Sequence, residues 1–127
     1  MTRYYDELAR YERDGFTVIV DKSWEDLAVR DSFDDTYHDI KEIERKIDNG
    51  TYDWFFVRVR AMVEDLEMGS AYLGGMLYEN PADCLTDGCV EGMIYEALTE
   101  AKKDVYRLKQ KFAELSDMVD REGVSVV

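Results

Sequence analysis

The chain has 127 residues, which suits one domain, and 46% of them are hydrophobic, enough for one ordinary core. Twenty-nine acidic residues face sixteen basic ones, so the net charge is −13. This composition excludes an intrinsically disordered chain and disfavours direct nucleic-acid binding, because phosphates repel such a surface. No apolar run reaches the roughly 20 residues of a membrane helix, and acids stand where a signal peptide is apolar, so we expect a cytoplasmic protein without membrane contact.

The negative charge is concentrated in the body of the chain. Residues 1–100 contain 24 acids and 10 bases, a balance of −14, and residues 101–127 contain 5 acids and 6 bases, a balance of +1. Such a field attracts a basic protein, in particular one that itself binds nucleic acid. The alternative interpretation is acidity that serves only solubility, or adaptation to a salt-rich cytoplasm.

In chain order, the sequence predicts a short helix over residues 2–13, ended by Asp14-Gly15, and a β-branched strand over 16–20. Residues 21–30 predict a loop with one helical turn. Ser32 and Asp35 resemble a capping box and therefore predict the start of a second helix, which Asn49-Gly50 closes. Its apolar face repeats every three or four residues: Phe33, Tyr37, Ile40, Ile43 and Ile47.

A hairpin follows in the middle of the chain. Residues 52–63 alternate between apolar and polar side chains, Glu64-Asp65 predicts a tight turn, and residues 66–78 form the return strand. The glycines of the return strand indicate a bulge or a close backbone approach. The predicted fold class is α+β: the hairpin 52–63/66–78 and the strand 16–20 form a small antiparallel sheet packed with helices, in one domain of residues 1–127.

The C-terminal third predicts a long helix. Asn80-Pro81 starts a short helix that stops near Gly88, and the long helix covers about residues 89–119. From Ile94 onward its apolar residues recur at alternating steps of four and three, a heptad-like seam. A helix of about 30 residues spans about 45 Å, more than a domain of this size usually buries. Two interpretations follow: a homodimer through residues 94–119, or a helix that lies across the sheet as a core element.

The residues that could carry chemistry are few. His38 is the single histidine and lies among aspartates, a pattern typical of a solvated helix face. Cys84 and Cys89 match neither a redox motif nor half of a zinc site, so we expect two free thiols. No catalytic residue, metal site or cofactor is predicted, and a hydrolase using carboxylates around His38 is the weakest hypothesis.

Two candidate protein-binding surfaces emerge from the predicted elements. The first is an acidic strip that includes Asp34, Asp35, Asp39 and Glu42. Carboxylates spaced along the second helix, such as Asp35, Asp39, Glu42 and Asp48, would stand in for phosphates. The second is an outward stripe on the first hairpin strand, made of residue types favoured at binding hot spots: Tyr52, Trp54, Arg58 and Arg60. In the alternative interpretation, helices cover both faces of the sheet and the arginines pair with acids.

Residues 49–61, NGTYDWFFVRVRA, and residues 67–75, EMGSAYLGG, resemble strands of small acidic accessory proteins of bacteriophages and plasmids. Those proteins share a G-x-Y/F-x-W/F-x-x-V-x-V strand and an LG-x-x-x-LGG return strand, and the likeness covers about residues 47–103. Met68 departs from the pattern, where leucine is usual. The resemblance implies a mobile-element gene, whose common roles are interference with host defence, host takeover or lysogeny control, and it implies no functional residues.

The leading hypothesis joins the charge to this resemblance. The protein is expected to be a phage- or plasmid-encoded inhibitor that acts in the host cytoplasm and occupies a basic surface of a nucleic-acid-handling or defence complex. An anti-CRISPR or anti-restriction protein that mimics DNA is the corresponding class. The alternative is a structural or assembly protein that dimerises through the C-terminal helix.

Overall fold

The computed structural model describes residues 3–122. Four antiparallel strands form one sheet in chain order: β1 (Asp6–Arg13), β2 (Phe16–Trp24), β3 (Asp53–Val63) and β4 (Leu66–Tyr78). Two helices separate β2 from β3: α1 (Val29–Ser32) and α2 (Ile40–Asp48). A 3₁₀ helix (Pro81–Leu85) and the long helix α3 (Cys89–Arg121) follow β4. The predicted α+β class, with an antiparallel sheet and a long C-terminal helix, is confirmed.

The main core lies between one face of the sheet and the first half of α3. The alternation predicted for β3 is confirmed, since its inward side chains are fully buried: Phe55, Val57, Val59 and Ala61. From α3, Ile94 and Ala97 pack against this face, and Val18 and Val20 of β2 complete it. Burying a side chain such as Val, Ile or Phe contributes about 1.5–3 kcal/mol, so this layer is the main source of stability.

The β3–β4 hairpin forms as predicted, with its turn at Glu64-Asp65. The predicted close approach occurs at Gly69, where α3 crosses β4. A Cβ at position 69 would overlap the Ala97 carbonyl oxygen and lie 2.7 Å from the Ala101 backbone nitrogen. The absence of a side chain at this position therefore sets how closely the helix and the sheet approach.

The helix predicted for residues 2–13 is wrong, because residues 6–13 form β1. Asp14 and Gly15 both have positive φ, 55° and 87°, and join β1 to β2 as a tight hairpin turn instead of ending a helix. Next to this turn, residues 9 to 13 pair with β2 in regular register. A register shift between Glu7 and Ala9 lets both Leu8 and Ala9 pack on the core.

The second helix starts later than predicted. Asp39, and not Ser32, is its N-cap, and the Asp39 carboxylate accepts a hydrogen bond from the Glu42 backbone N–H at 3.1 Å. Upstream, Asp34 accepts from the Thr36 N–H at 2.8 Å, which stabilises a turn where the helix was expected. The loop predicted for residues 21–30 is also partly wrong: β2 continues to Trp24, and only α1 supplies the helical turn.

Helix α3 has 33 residues and divides into two parts. Its first part is buried on the sheet as far as Ala101, which confirms that the helix is a core element. From Val105 onward its side chains are exposed or only partly buried, so the second part extends past the end of the sheet that carries the two hairpin turns. None of the helices within residues 3–122 combines the length and apolar composition needed to cross a bilayer.

We expect Gly69→Ala to destabilise the protein, because the added methyl would meet helix backbone that cannot move aside. Overpacking of this kind costs about 1–3 kcal/mol, and urea denaturation measures it. Gly92→Ala is the matched control: it lies in α3 with open space around it and should raise stability by about 0.5–1 kcal/mol through helix propensity. Equal effects of the two substitutions would contradict the packing described at Gly69.

Candidate interaction surfaces

The predicted acidic strip does not form a continuous helical row. Asp34 and Asp35 lie in the turn before α2, Asp39 caps the helix, and Glu42 alone projects from its body. Hydrogen bonds from Thr36 hold the pKa of Asp34 below its ordinary value. The Arg45 guanidinium, 2.5 Å from Glu42, likewise lowers the pKa of Glu42. Two of the four carboxylates therefore have structural roles and a third is paired with arginine.

His38 lies on the surface, in the turn before α2. The ring is exposed and stacks edge-on against Phe33, with centroids 5.0 Å apart. Residues 34–41, together with Arg30 and Phe33, line an open depression here. In the described part of the chain, no group of three or more His, Cys, Asp or Glu side chains is arranged to hold a metal ion.

Arg58 and Arg60 meet on a buried carboxylate of the neighbouring strand. Asp21 of β2 pairs with Arg58 of β3 in register, and its side chain is 4% exposed. It accepts hydrogen bonds from Arg58 Nε at 2.9 Å and Nη2 at 2.6 Å, and from Arg60 Nη2 at 3.2 Å. This arrangement matches the interpretation in which the arginines pair with acids, because both arginines contact the same carboxylate.

The aromatic stripe predicted to face outward is interrupted. Trp54 is 9% exposed and packs with Val29 and Ile40 beneath the helices, and its indole N–H donates to the Leu27 carbonyl at 2.8 Å. The prediction that Trp54 is a surface residue is therefore wrong. Tyr52 precedes β3 and lies beside Lys46, whose Nζ is 5.2 Å from the ring centroid.

The N-terminal segment covers part of the remaining stripe. The Arg58 guanidinium carbon lies 3.5 Å from the centroid of the Tyr5 ring, and Tyr5 meets Phe56 edge-on at 6.0 Å. Arg3 lies over Phe56 at 4.9 Å. These contacts hold residues 3–5 against the sheet face opposite α3 and cover part of the predicted stripe.

The Asp21 pair predicts a large difference between two aspartates. Asp21→Ala would leave two partly buried guanidinium groups without their carboxylate, which costs about 3–5 kcal/mol. Asp104→Ala, which breaks a solvent-facing i,i+3 pair with Arg107, should change stability little. Thermal or urea denaturation of both variants measures this difference, and comparable losses in the two would refute the buried pair.

Among the described residues, most of the carboxylates that form no ion pair lie outside the predicted acidic strip. Residues 61–101 contain nine acids and no lysine or arginine, so this segment alone contributes −9 of the net −13. All nine side chains belong to exposed residues: Glu64, Asp65, Glu67, Glu79, Asp83, Asp87, Glu91, Glu96 and Glu100. Within residues 3–122, Glu91 is the one of these nine that forms an ion pair, with Arg13 at 2.9 Å. We call this set of nine carboxylates the acidic side.

The acidic side follows three consecutive parts of the fold. Glu64, Asp65 and Glu67 lie at the β3–β4 turn, Glu79, Asp83 and Asp87 lie past the other end of β4, and Glu91, Glu96 and Glu100 lie on the outer face of the first half of α3. Glu67 and Glu100, from β4 and α3, line one shallow depression with Lys103 and Arg107 at its rim. The signal that identifies these residues is present in the sequence, because residues 61–101 contain no lysine or arginine.

The second half of α3 is the other exposed surface. We call residues 105–121 the arm. Three of its apolar side chains are largely exposed: Val105 by 40%, Phe112 by 61% and Leu115 by 42%. In the first half of the predicted homodimer seam 94–119, the apolar residues Ile94, Leu98 and Ala101 are buried in the core, so only the second half of the seam is exposed.

The two cysteines are free, with Cys84 buried and Cys89 partly buried. Burial, together with the Asp87 carboxylate, raises the pKa of the Cys89 thiol to about 11. The same carboxylate accepts hydrogen bonds from the Cys89 backbone N–H at 3.2 Å and from the Tyr78 hydroxyl. Burial also raises the pKa of the Cys84 thiol. At neutral pH Cys84 and Cys89 are therefore thiols and not thiolates, which makes them poor nucleophiles.

We therefore expect iodoacetamide to alkylate Cys89 at pH 8 about 100-fold more slowly than an ordinary exposed cysteine, because only a small fraction is thiolate. The rate should rise with pH up to about 11, as the thiol ionises. Asp87→Asn should accelerate it, and Asp83→Asn, which alters an acid outside this contact, should not. Mass spectrometry of the alkylated peptide gives the rates, and a fast wild-type rate at pH 8 would contradict the raised pKa.

Comparison with protein-family models, curated proteins and solved structures finds no match to this chain. The resemblance to phage and plasmid accessory proteins therefore stays a prediction. The function has to be argued from the acidic side and the arm.

Proposed function

We propose that the protein is an acidic binding protein that occupies a basic, nucleic-acid-binding surface of another protein. The observation that carries the proposal is the acidic side: nine exposed carboxylates on residues 61–101 with no lysine or arginine among them. A nucleic-acid-binding surface carries lysine and arginine that neutralise phosphates. A folded surface of fixed carboxylates can meet the same cations.

The ion pairs formed by acids in residues 1–60 support the acidic side as the surface that meets the partner. Residues 1–60 contain 15 acids and 10 bases, a balance of −5, and several of these acids are held by arginine or lysine. Asp21 is held by two arginines, and Glu42 and Glu44 by one each. Carboxylates that are already paired locally have less attraction left for a partner, whereas those of the acidic side face the solvent. The acidic side therefore carries most of the available attraction.

The attraction between opposite charges determines how such a protein would find and hold its partner. Attraction between the acidic side and a basic groove accelerates encounter and fixes orientation, and it weakens as salt rises. While the groove is occupied, nucleic acid is displaced. We propose that this competition inhibits a host nucleic-acid-handling or defence complex, of the kind met by anti-CRISPR and anti-restriction proteins, and that the protein is encoded by a phage or plasmid.

The proposal predicts the behaviour of a variant with five carboxylates of the acidic side made neutral: Glu64→Gln, Asp65→Asn, Glu67→Gln, Glu96→Gln and Glu100→Gln. Its net charge is −13 + 5 = −8. Immobilised wild-type chain should retain basic proteins from bacterial lysate at low salt, and duplex DNA in excess should displace them. The variant should retain at least about tenfold less of the DNA-displaceable proteins, since each exposed pair contributes up to about 1 kcal/mol.

A control variant of identical charge separates this surface from net charge. It neutralises five acids outside the acidic side: Asp31→Asn, Asp34→Asn, Asp35→Asn, Glu44→Gln and Asp48→Asn. The control should retain proteins as the wild type does. Equal losses in both variants would reduce the effect to overall charge, and retention that DNA does not displace would disprove competition for a nucleic-acid site.

A further inference from the structure

The arm carries an apolar stripe that no other part of residues 3–122 covers. Its members are spaced three and four residues apart: Val105, Leu108, Phe112, Leu115 and Val119. Leu108 touches the edge of the core, and the stripe then runs outward along the free part of the helix. The arm has 17 residues, a length of about 25 Å, so the stripe covers about two heptads.

Charge along the arm is divided into two blocks. Its first half contains the bases Arg107, Lys109 and Lys111, and its second half contains the acids Glu114, Asp117 and Asp120 and one base, Arg121; Glu122 follows directly after the arm. The three acids near the C-terminal end of the helix are unfavourable there, because that end carries partial negative charge, and Arg121 in the last turn offsets only part of this cost. A partner that brings bases to the end of the arm would remove this cost.

We propose that this partner is a second copy of the chain, whose arm packs antiparallel against the first. In that orientation the basic half of each arm faces the acidic half of the other. Aligning Leu108 with Val119 of the second copy also aligns Phe112 with its Leu115, which gives four apolar layers. The same register brings Lys109 close to Asp120 of the second copy.

The parallel arrangement is disfavoured by the same charges. It would set bases against bases and acids against acids along the arms. It would also place side by side two bodies that each carry −14 on residues 1–100. Antiparallel arms keep these bodies at opposite ends of the paired helices, where salt screens their repulsion, since the screening length is about 8 Å at physiological ionic strength.

The pairing goes beyond the proposed function and is independent of it, because no residue of the acidic side lies in the arm. Two short arms would bury about 1,000 Å² in total, the lower limit for a specific interface. The dimer is therefore a dynamic one that forms at micromolar concentrations. It presents two copies of the acidic side.

The first test is the oligomeric state of the full chain and of two matched variants. Phe112 and Tyr106 are both exposed aromatics of the arm, by 61% and 64%, but Tyr106 lies about 140° around the helix from the stripe. Sedimentation equilibrium should show a dimer for the wild type and for Tyr106→Asp. Phe112→Asp should weaken dimerisation at least about 100-fold, because it would bury a charge in the centre of the interface.

The second test determines orientation by exchanging charges. Variant K109E/K111E makes both blocks of the arm acidic, and D120K/E122K makes them mainly basic. In antiparallel pairing each variant should weaken the dimer about tenfold, and the fourfold variant that combines them should restore wild-type affinity. D120K/E122K is the most informative, because it lowers the net charge to −13 + 4 = −9 and should otherwise favour association.

Each outcome decides the proposal. A wild-type chain that stays monomeric up to about millimolar concentration, or a Phe112→Asp variant that dimerises normally, would overturn pairing through the stripe. A tighter dimer of D120K/E122K, or a fourfold variant that is not restored, would overturn the antiparallel orientation. Circular dichroism of each variant confirms that α3 is intact before the comparison is made.

Discussion

The contact between β4 and α3 at Gly69 determines the layout of the molecule. Because position 69 has no side chain, the helix backbone at Ala97 and Ala101 lies directly on the sheet. This close approach buries Ile94, Ala97 and Leu98 and fixes the direction in which the helix continues. Past Ala101 none of the helix residues described is fully buried, and Leu108 is the last that packs against the core. The arm and its position beside the hairpin turns are therefore consequences of how tightly the first half is packed.

Much of the fold was predictable from the sequence, because its central elements have strong patterns. β3 alternates cleanly, β4 follows a two-residue turn, and α3 has a sustained helical period, so their predicted bounds agree with the structure within a few residues. The N-terminal strand was missed because residues 6–13 are mostly charged and show no clear alternation. Asp14-Gly15, which ends a helix in one interpretation, is also a strong hairpin turn, and pairing with β2 decides between the two.

The candidate surfaces were less predictable, since they depend on contacts between distant residues. Asp21 meets Arg58 and Arg60 from 37 and 39 positions away, and Trp54 is covered by helices whose positions local patterns do not define. The acidic side differs, because it is a property of the sequence itself. A count of bases along the chain finds residues 61–101 at once. What the fold adds is that these carboxylates are exposed and mostly without cationic neighbours.

The division of α3 has a consequence for how the protein can vary. Substitutions in its first half are constrained by the fit to the sheet, whereas those in the arm meet mostly solvent. A single continuous helix thus combines a first half that is packed tightly on the sheet with a second half whose side chains are mostly exposed. Drift in the arm could change what the molecule assembles with while the domain itself continues to fold in the same way.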